Sequence, residues 1–414
     1  FSSRRRHTRY WRDWSSDVCS SDLKSSYRID EIKSASEVIS QIEKTWLPRK
    51  GPVYLEFCLD VSQFVVNERN SKFKFPKKKI KKSQKTNFSE LNKNVRKALE
   101  LIINSERPLI LLGGGVHRRV ATQYFKKMEL TNLPIATTFN GADRITGSIK
   151  NYAGRPNWYG SRWANLIVQQ SDLVIAIGTR LGLLQVGYNW QEFAPLARIM
   201  QIDLDQNELN KGFPKVHFKV QADADIFLPK LFDELSKIPF KYGNANWESL
   251  ISKLKMEFDK AEPQNSISEK HLELQELLIA ITKITQSGDL ISPCSSGATY
   301  ESAMKVINLK ANQKMVTSHA LASMGFGLTG GIGLSFAYPQ SRVIVFEGDG
   351  GFSQNLQELS TVRANDLNMK IFIIDNGGYM SIRRNQQRAF DGHYVGCDRN
   401  SGLMMPDRSE EHTS

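Results

Sequence analysis

The chain has 414 residues, 40% of them hydrophobic and 24% charged, with a formal net charge of +13. This composition is that of a globular protein with room for two or three domains, and no apolar run approaches the length of a membrane-spanning helix. The four cysteines show no CxxC spacing, which argues against a zinc site or a disulfide framework and predicts a reduced, cytoplasmic protein.

The two ends of the chain differ in character from the rest. Residues 1–23 follow neither a helical nor a strand period, and they resemble a translated sequencing adapter, as does the tail 408–414. We therefore expect an incomplete chain and leave both ends out of the fold prediction. A basic arm that binds nucleic acid is the alternative interpretation of the first segment.

Residues 24–66 contain a predicted helix, 35–46, and an apolar strand, 53–57. This segment is too short to bury a core alone, so we interpret it as the end of a domain.

The following segment, 67–87, is rich in lysine and contains no acidic residue after position 68. We predict a solvated linker here. A nucleic-acid patch is the alternative, but no nucleic-acid motif accompanies it, so no such partner is predicted.

Residues 88–235 alternate short apolar strands with amphipathic helices, which predicts an α/β domain with a doubly wound parallel sheet. In chain order the elements are helix 89–105, strand 109–112, helix 118–130, a strand ending at 136–138, strand 173–177 and strand 199–202. Glycines follow the first strand, but the GxGxxG fingerprint of NAD sites is absent. Residues 236–270 are polar and helical in character, and they are predicted to form a second linker.

A third domain is predicted over residues 271–407. It opens with helix 271–286 and strand 289–292, whose end is followed by the turn 293–297. Further on, strand Val343–Phe346 ends at Gly348-Asp349-Gly350-Gly351, an amphipathic helix follows, and strand Ile371–Ile374 ends at Asp375-Asn376-Gly377-Gly378. This is a βαβ unit, and its polar residues fall at the carboxyl ends of parallel strands, where open sheets bind ligands.

The residue types at these two strand ends predict a metal and a diphosphate. Asp349 offers a carboxylate oxygen, Asn376 an amide oxygen and Gly378 a backbone carbonyl, which are the oxygen ligands that Mg²⁺ prefers. The glycines after Asp349 precede a predicted helix, whose N–H groups and dipole favour a diphosphate.

This stretch resembles the diphosphate-binding motif of thiamine diphosphate-dependent enzymes, in which Gly-Asp-Gly is followed across a helix by Asn-Asn. Here Asp375-Asn376 stands in place of the Asn pair. The order of the pieces is similar to the acetolactate synthase large-subunit family. The resemblance implies thiamine diphosphate and Mg²⁺, with Met324 under the cofactor and His319 nearby. A plain turn with a serine cap is the alternative at Ser296. The implied cofactor contacts are Gly348, Asp349, Gly350, Gly351, Asn376, Gly378, Met324, Ser296 and Gly297, and the implied metal ligands are Asp349, Asn376 and Gly378.

The resemblance also implies that the central domain can hold FAD. Gly113 and Gly114 would approach its diphosphate, Thr137, Thr138 and Phe139 would line the flavin side, and Arg180 would lie near the ring. Asp203 and Asp223 would contact the adenosine part. A domain without flavin, or with ADP, is the alternative, and Arg180 departs from the family pattern because Leu181-Gly182-Leu183 follows it.

The function implied by the resemblance is a Mg²⁺-dependent carboligase or decarboxylase that acts on a 2-oxo acid such as pyruvate, as a homodimer or homotetramer. The activating glutamate would lie in a part of the first domain that is absent here, so no residue, Glu56 included, is predicted to be catalytic, and this chain alone is predicted to be inactive. The alternatives are a non-catalytic binding protein of the same fold and a relative that transfers an aceto group to a sugar in polysaccharide biosynthesis.

Overall fold

The computed structural model describes residues 25–29, 38–39, 53–58, 87–238, 245–258, 273–318 and 321–405. It separates into two units, residues 1–89 and 90–414. In the first unit, strands β1 (Ser25–Ile29) and β2 (Val53–Phe57) pair in parallel, with Ser25 opposite Val53. Most of the predicted helix 35–46 lies outside the described residues, as do 1–23, 408–414 and all but the last residue of the lysine-rich segment.

Five parallel strands form the first sheet of the second unit, in the order β4-β3-β5-β6-β7. They are β3 (Pro108–Leu112), β4 (Ile135–Thr137), β5 (Leu173–Ile177), β6 (Arg198–Asp203) and β7 (Phe218–Gln221). β3 and β5 are buried along their whole length, as expected for strands covered by helices on both faces. The strand order reverses between β3 and β5, which makes the sheet doubly wound and places its ligand crevice there.

Amphipathic helices cover this sheet. The longest, α1, buries Leu91, Val95 and Ala98 on one face, at the spacing of successive helical turns. The helices are α1 (Phe88–Ile103), α2 (Arg118–Leu130), α3 (Arg162–Gln170), α4 (Leu183–Val186), α5 (Gln206–Asn210), α6 (Ala224–Leu235) and α7 (Ala245–Phe258).

Helix α7 lies inside the segment that the sequence predicts as a linker, 236–270. It packs against α3, and its Trp247 is only 1% exposed. The indole Nε1 of Trp247 donates a hydrogen bond to the carbonyl of Pro108 at 3.2 Å. This part of the segment therefore contributes to the core around the first sheet, because Trp247 and Ile251 are buried in it and apolar side chains of the same helix pack against it.

Four parallel strands form the second sheet, in the order β11-β10-β8-β9, and the order again reverses at its centre, between β8 and β10. The strands are β8 (Leu290–Pro293), β9 (Lys314–Met315), β10 (Val343–Gly348) and β11 (Met369–Ile374). The helices are α8 (Leu274–Ile284), α9 (Gly297–Val306), α10 (Phe326–Ala337), α11 (Asp349–Phe352), α12 (Leu359–Ala364) and α13 (Met380–Ala389). The prediction of doubly wound parallel sheets in an α/β protein is confirmed.

The connection between β10 and β11 differs from the predicted single helix. It consists of α11, a 3₁₀ turn at Leu356–Glu358 and α12. Ser353 and Asn355 lie at the break, and the hydroxyl of Ser353 donates to the carbonyl of Asp349 at 2.9 Å. Short polar side chains of this kind compete with the helical backbone, which explains the interruption.

Two arginines, one of them buried, connect the two sheets of the second unit. Arg155 is 4% exposed, and its guanidinium donates to the carbonyls of Met304, at 3.0 Å, and Ile307, at the end of α9. Arg118 donates to the carbonyl of Met315 in β9 at 3.1 Å.

Within the described ranges, no helix has both the length and the apolar character needed to cross a bilayer.

Candidate metal and diphosphate site

Three loops of the second sheet meet at its carboxyl edge. Asp349 follows directly after β10, Asn376 comes two residues after the end of β11, and Ser296 precedes α9 after β8. β10 pairs in parallel with both β8 and β11, so the three loops leave the sheet on the same side. The structure thus brings together the residues that the sequence singled out around Asp349 and Asn376.

Oxygen atoms from three groups converge at this edge. Asp349 is 1% exposed, and its Oδ2 accepts the N–H of Gly378 at 2.6 Å. The terminal amide atom of Asn376 that faces it lies 3.3 Å from Oδ1 of Asp349 and 3.0 Å from the carbonyl oxygen of Gly378. With the amide oxygen in that position, only acceptors surround it, whereas the amide nitrogen there would make two hydrogen bonds.

These distances suit three neighbouring ligands of one Mg²⁺. An octahedral ion with ligands at roughly 2.0–2.1 Å separates adjacent oxygens by roughly 3 Å. The set supplies one carboxylate, one amide and one carbonyl, which leaves positions for phosphate oxygens and water. The described residues contain no cluster of three or more His, Cys, Asp or Glu side chains suited to a metal.

The backbone around Gly378 explains how its carbonyl reaches the other two groups. Gly378 has φ of 137°, and a Cβ there would lie 2.3 Å from the carbonyl oxygen of Cys397. Tyr379 donates its N–H to the same carbonyl at 2.8 Å. The chain therefore runs tightly against residues 397–398, and only glycine fits at position 378.

The glycines after Asp349 are required by packing. A Cβ on Gly350 would lie 2.5 Å from the ring of Tyr379, and one on Gly351 would lie 2.4 Å from Oε1 of Glu347. Gly348 ends β10 and has more space, since a Cβ there would lie 3.7 Å from Oγ1 of Thr299. Because α11 has only four residues, the helix dipole at this loop is smaller than the sequence suggests.

The turn after β8 carries Ser296 and Gly297. Gly297 has φ of 75°, and Ser296 occupies the N-cap position of α9 without a side-chain capping hydrogen bond. The hydroxyl of Ser296 is therefore not used to cap the helix.

Met324 is 39% exposed. The next residue, Gly325, has φ of 77°, and a Cβ there would lie 3.0 Å from the carbonyl oxygen of Gly351, in the loop 348–351 that we call the diphosphate loop. Met324 therefore precedes a residue that approaches this loop closely, and its side chain is partly exposed. His319 lies outside the described residues.

Sequence reasoning missed Glu347, which joins two parts of the site. Its side chain is buried, and Oε2 accepts the N–H of Gly327, at the start of α10, at 2.7 Å. Burial raises the pKa of Glu347 to about 7, an effect that backbone hydrogen bonds partly offset. The sequence signal that could have identified Glu347 is an acidic residue at the end of an apolar strand, because a buried carboxyl group needs hydrogen-bond partners.

The residues expected at a flavin lie along the carboxyl edge of the first sheet, spread over its five strands. Each has a local structural role. A Cβ on Gly113 would lie 2.2 Å from the carbonyl of Gly178, and one on Gly114 would lie 3.0 Å from Asn140, so both glycines allow close packing. The Thr138 hydroxyl accepts the N–H of Gly141 at 3.2 Å.

The charged members of this set are also engaged. Nε of Arg180 donates to Glu208 at 2.6 Å, Asp203 accepts the N–H of Asp205 at 2.9 Å, and Asp223 caps α6. Phe139 is buried against Tyr300, with ring centroids 5.6 Å apart, and Thr137 is fully buried. The structure thus places these residues at one edge but does not gather them around one point.

Two protein-family models match the chain. Residues 95–231 match the thiamine pyrophosphate enzyme central domain, and residues 295–409 match the C-terminal TPP binding domain of the same enzymes. The second match includes Asp349, Asn376 and Gly378.

Curated proteins similar to this chain include acetolactate synthase large subunits. The chain is 27% identical over 369 residues to the acetolactate synthase isozyme 1 large subunit of Escherichia coli, covering 89% of this chain and 62% of that protein. It is 30% identical over 356 residues to the probable acetolactate synthase large subunit of Methanocaldococcus jannaschii, covering 84% of this chain and 58% of that protein. The chain therefore spans about three fifths of the length of these relatives.

Proposed function

Since the chain belongs to the acetolactate synthase-like family of thiamine pyrophosphate enzymes, we propose that it binds thiamine diphosphate through Mg²⁺ and acts on a 2-oxo acid such as pyruvate. The convergence of Asp349, Asn376 and the Gly378 carbonyl carries the proposal. The reaction is a decarboxylation or carboligation, and the protein acts as a homodimer or homotetramer.

Each part of the site has a proposed task. Asp349, Asn376 and the Gly378 carbonyl hold Mg²⁺, which binds the diphosphate oxygens. Met324 supports the organic part of the cofactor, and Glu347 keeps the Gly325–Gly327 turn against the diphosphate loop. Bound thiamine diphosphate supplies the electron sink for breaking and forming the carbon–carbon bond. No residue of this chain is assigned the proton transfer that activates the cofactor.

A flavin at the carboxyl edge of the first sheet is the second part of the proposal. The glycine backbone at Gly113 and Gly114 and the carboxylates of Asp203 and Asp223 suit the adenosine diphosphate portion of FAD. Arg180 does not suit the flavin ring in its present position, because its guanidinium is paired with Glu208. The visible absorbance spectrum of the purified protein tests this part, and a spectrum without a flavin band after reconstitution with FAD rejects it.

The activity is tested by the release of carbon dioxide from pyruvate in the presence of thiamine diphosphate and Mg²⁺. The proposal expects no turnover by this chain alone, because no residue of it is assigned the activating proton transfer. It expects turnover when the chain is joined to a first domain that supplies the activating glutamate, and none by Asp349→Asn in that longer protein. Asp366→Asn is the matched control, because Asp366 is a surface residue whose side chain is 84% exposed, and it should leave turnover unchanged. Binding of the cofactor by the longer protein without turnover of any 2-oxo acid would favour the non-catalytic alternative.

A further inference from the structure

A cavity of about 480 Å³ lies between the two sheets of the second unit, away from the metal site. It is bounded by the start of α3, the end of α7 at Phe258, and the carboxyl-terminal ends of α8 and α9. Helix α9 begins at Gly297 beside the diphosphate loop and ends at Val306 in the cavity wall. Ten residues of helix span about 15 Å, so the two sites are separate.

Four cationic side chains line this cavity: Arg162, Lys283, Lys305 and Lys310. No acidic side chain is among the described lining residues. Glu301 lies one turn before Lys305 in α9 and offsets part of its charge. The surplus of positive charge within a concave wall favours an anion.

Helix ends alone do not explain all of these cations. Lysines near the end of a helix often stabilise its terminal carbonyls. Here Lys310 donates to the carbonyls of Lys283, at 2.8 Å, and Thr285, at 2.5 Å, after α8. Arg155 serves the carbonyls at the end of α9 in the same way. Lys283 and Lys305 lie in the last turns of α8 and α9, where their charges also favour the helix dipoles. Arg162 lies at the start of α3, so a role at a helix end does not explain its charge.

The rest of the wall is apolar and aromatic. Trp163 and Phe258 line the cavity with Ile279, and the guanidinium carbon of Arg162 lies 4.8 Å from the centre of the Phe258 ring. The volume falls within the range of small-molecule sites, roughly 300–1,000 Å³, and exceeds what an inorganic anion fills. Such a wall suits a ligand that combines a negative group with a ring.

We propose that this cavity is a second ligand site, which binds a small organic phosphate carrying an aromatic ring, as a nucleotide does. The phosphate lies among Arg162, Lys283 and Lys305, and the ring lies against Trp163 and Phe258. This inference does not depend on the reaction proposed for the metal site.

Calorimetric titration of ADP tests the proposal on the full chain saturated with thiamine diphosphate and excess Mg²⁺, so that ADP cannot compete at the metal. Saturable ADP binding is expected, with weaker binding of adenosine and of inorganic phosphate alone. The variant Lys283→Gln with Lys305→Gln should weaken ADP binding about tenfold or more, because charge-assisted contacts to phosphate are lost.

The matched control is Lys93→Gln with Lys126→Gln, which removes the same charge from exposed positions outside the cavity and should leave ADP affinity unchanged. If the double variant unfolds, the single variant Lys283→Glu takes its place in the test, because Lys283 is exposed and its substitution should not disturb the fold. Equal ADP affinity in the cavity and control variants overturns the proposal, because ADP would then bind elsewhere. Absence of saturable binding at millimolar ADP overturns it as well.

Discussion

Asn376 and Asp349 come from neighbouring parallel strands, and the terminal amide atom of Asn376 lies 3.3 Å from Oδ1 of Asp349. An amide oxygen in that position faces two other oxygens, which is unfavourable unless a cation lies among them. The alternative is a rotated amide that donates to both. Under the proposed binding of Mg²⁺, the ion would select the oxygen-facing orientation, whereas the hydrogen-bonded orientation is favoured without it.

Replacing Asn376 by Ala should weaken Mg²⁺-dependent binding of thiamine diphosphate by at least about tenfold, because one metal ligand is lost. Calorimetric titration measures the effect. Asn365→Ala, at an exposed asparagine after α12, is the control and should bind as the unsubstituted protein does. Equal affinity in both variants would contradict the role given to Asn376.

Replacing Gly325 by Ala should destabilise the protein by roughly 1–3 kcal/mol, because the residue is in the left-handed region and its Cβ would lie 2.2 Å from Nδ2 of Asn355. Gly333→Ala is the control within the adjoining helix α10, where a Cβ meets nothing within 4 Å. It should stabilise the helix by roughly 0.5–1 kcal/mol. Urea unfolding measures both, and shifts of the same sign would refute the prediction.

Replacing Arg155 by Ala should lower the free energy of unfolding by roughly 2–4 kcal/mol, since two buried carbonyls at the end of α9 lose a charged donor. Arg363→Ala is the control, because Arg363 is 86% exposed and pairs with Asp366 on the surface. Its effect should stay below about 1 kcal/mol. If thermal unfolding shows the two variants to be equally stable, Arg155 does not clamp the two sheets.

The stability of the protein should depend on the protonation of His217. Its Nδ1 accepts the N–H of Ile199 at 3.0 Å, which requires an unprotonated nitrogen. Partial desolvation, with smaller effects of Lys215 and Arg198, lowers the pKa of His217. The unfolded chain takes up the proton more readily, so this contribution is present at neutral pH and is lost as the pH falls through the lowered pKa.

Urea unfolding at neutral and mildly acidic pH measures this dependence. His217→Gln keeps an acceptor that does not titrate, so its midpoint should fall less on acidification than that of the unsubstituted protein. His393→Gln, at an exposed histidine, is the control and should follow the unsubstituted protein. Parallel pH curves for both variants would rule out the assigned role of His217.

The sequence predicts the strongly patterned elements closely. Strand 173–177 and helix 118–130 have the predicted bounds, because continuous apolar runs and regular amphipathic spacing identify them without tertiary information. The pair Asp349 and Asn376 is also predictable, since both residues follow apolar strands and parallel strands share a carboxyl edge.

Features that depend on tertiary contacts escape such reasoning. β9 has only two residues and exists through its pairing with β8, and α7 packs against α3, a partner that no local pattern identifies. Glu347 and Arg155 form hydrogen bonds with backbone groups that are distant in sequence, so no local sequence pattern predicts these contacts. The flavin assignment remains a prediction, because most residues named for it already have a local partner, the buried hydroxyl of Thr137 being an exception.

The most direct test of the central claim is a titration of thiamine diphosphate into the protein with Mg²⁺ and again with EDTA. We expect saturable binding with Mg²⁺ and none, or far weaker binding, with EDTA, because Asp349, Asn376 and the Gly378 carbonyl hold the diphosphate through the ion. Equal binding in the two titrations would contradict the metal site on which the proposed function depends.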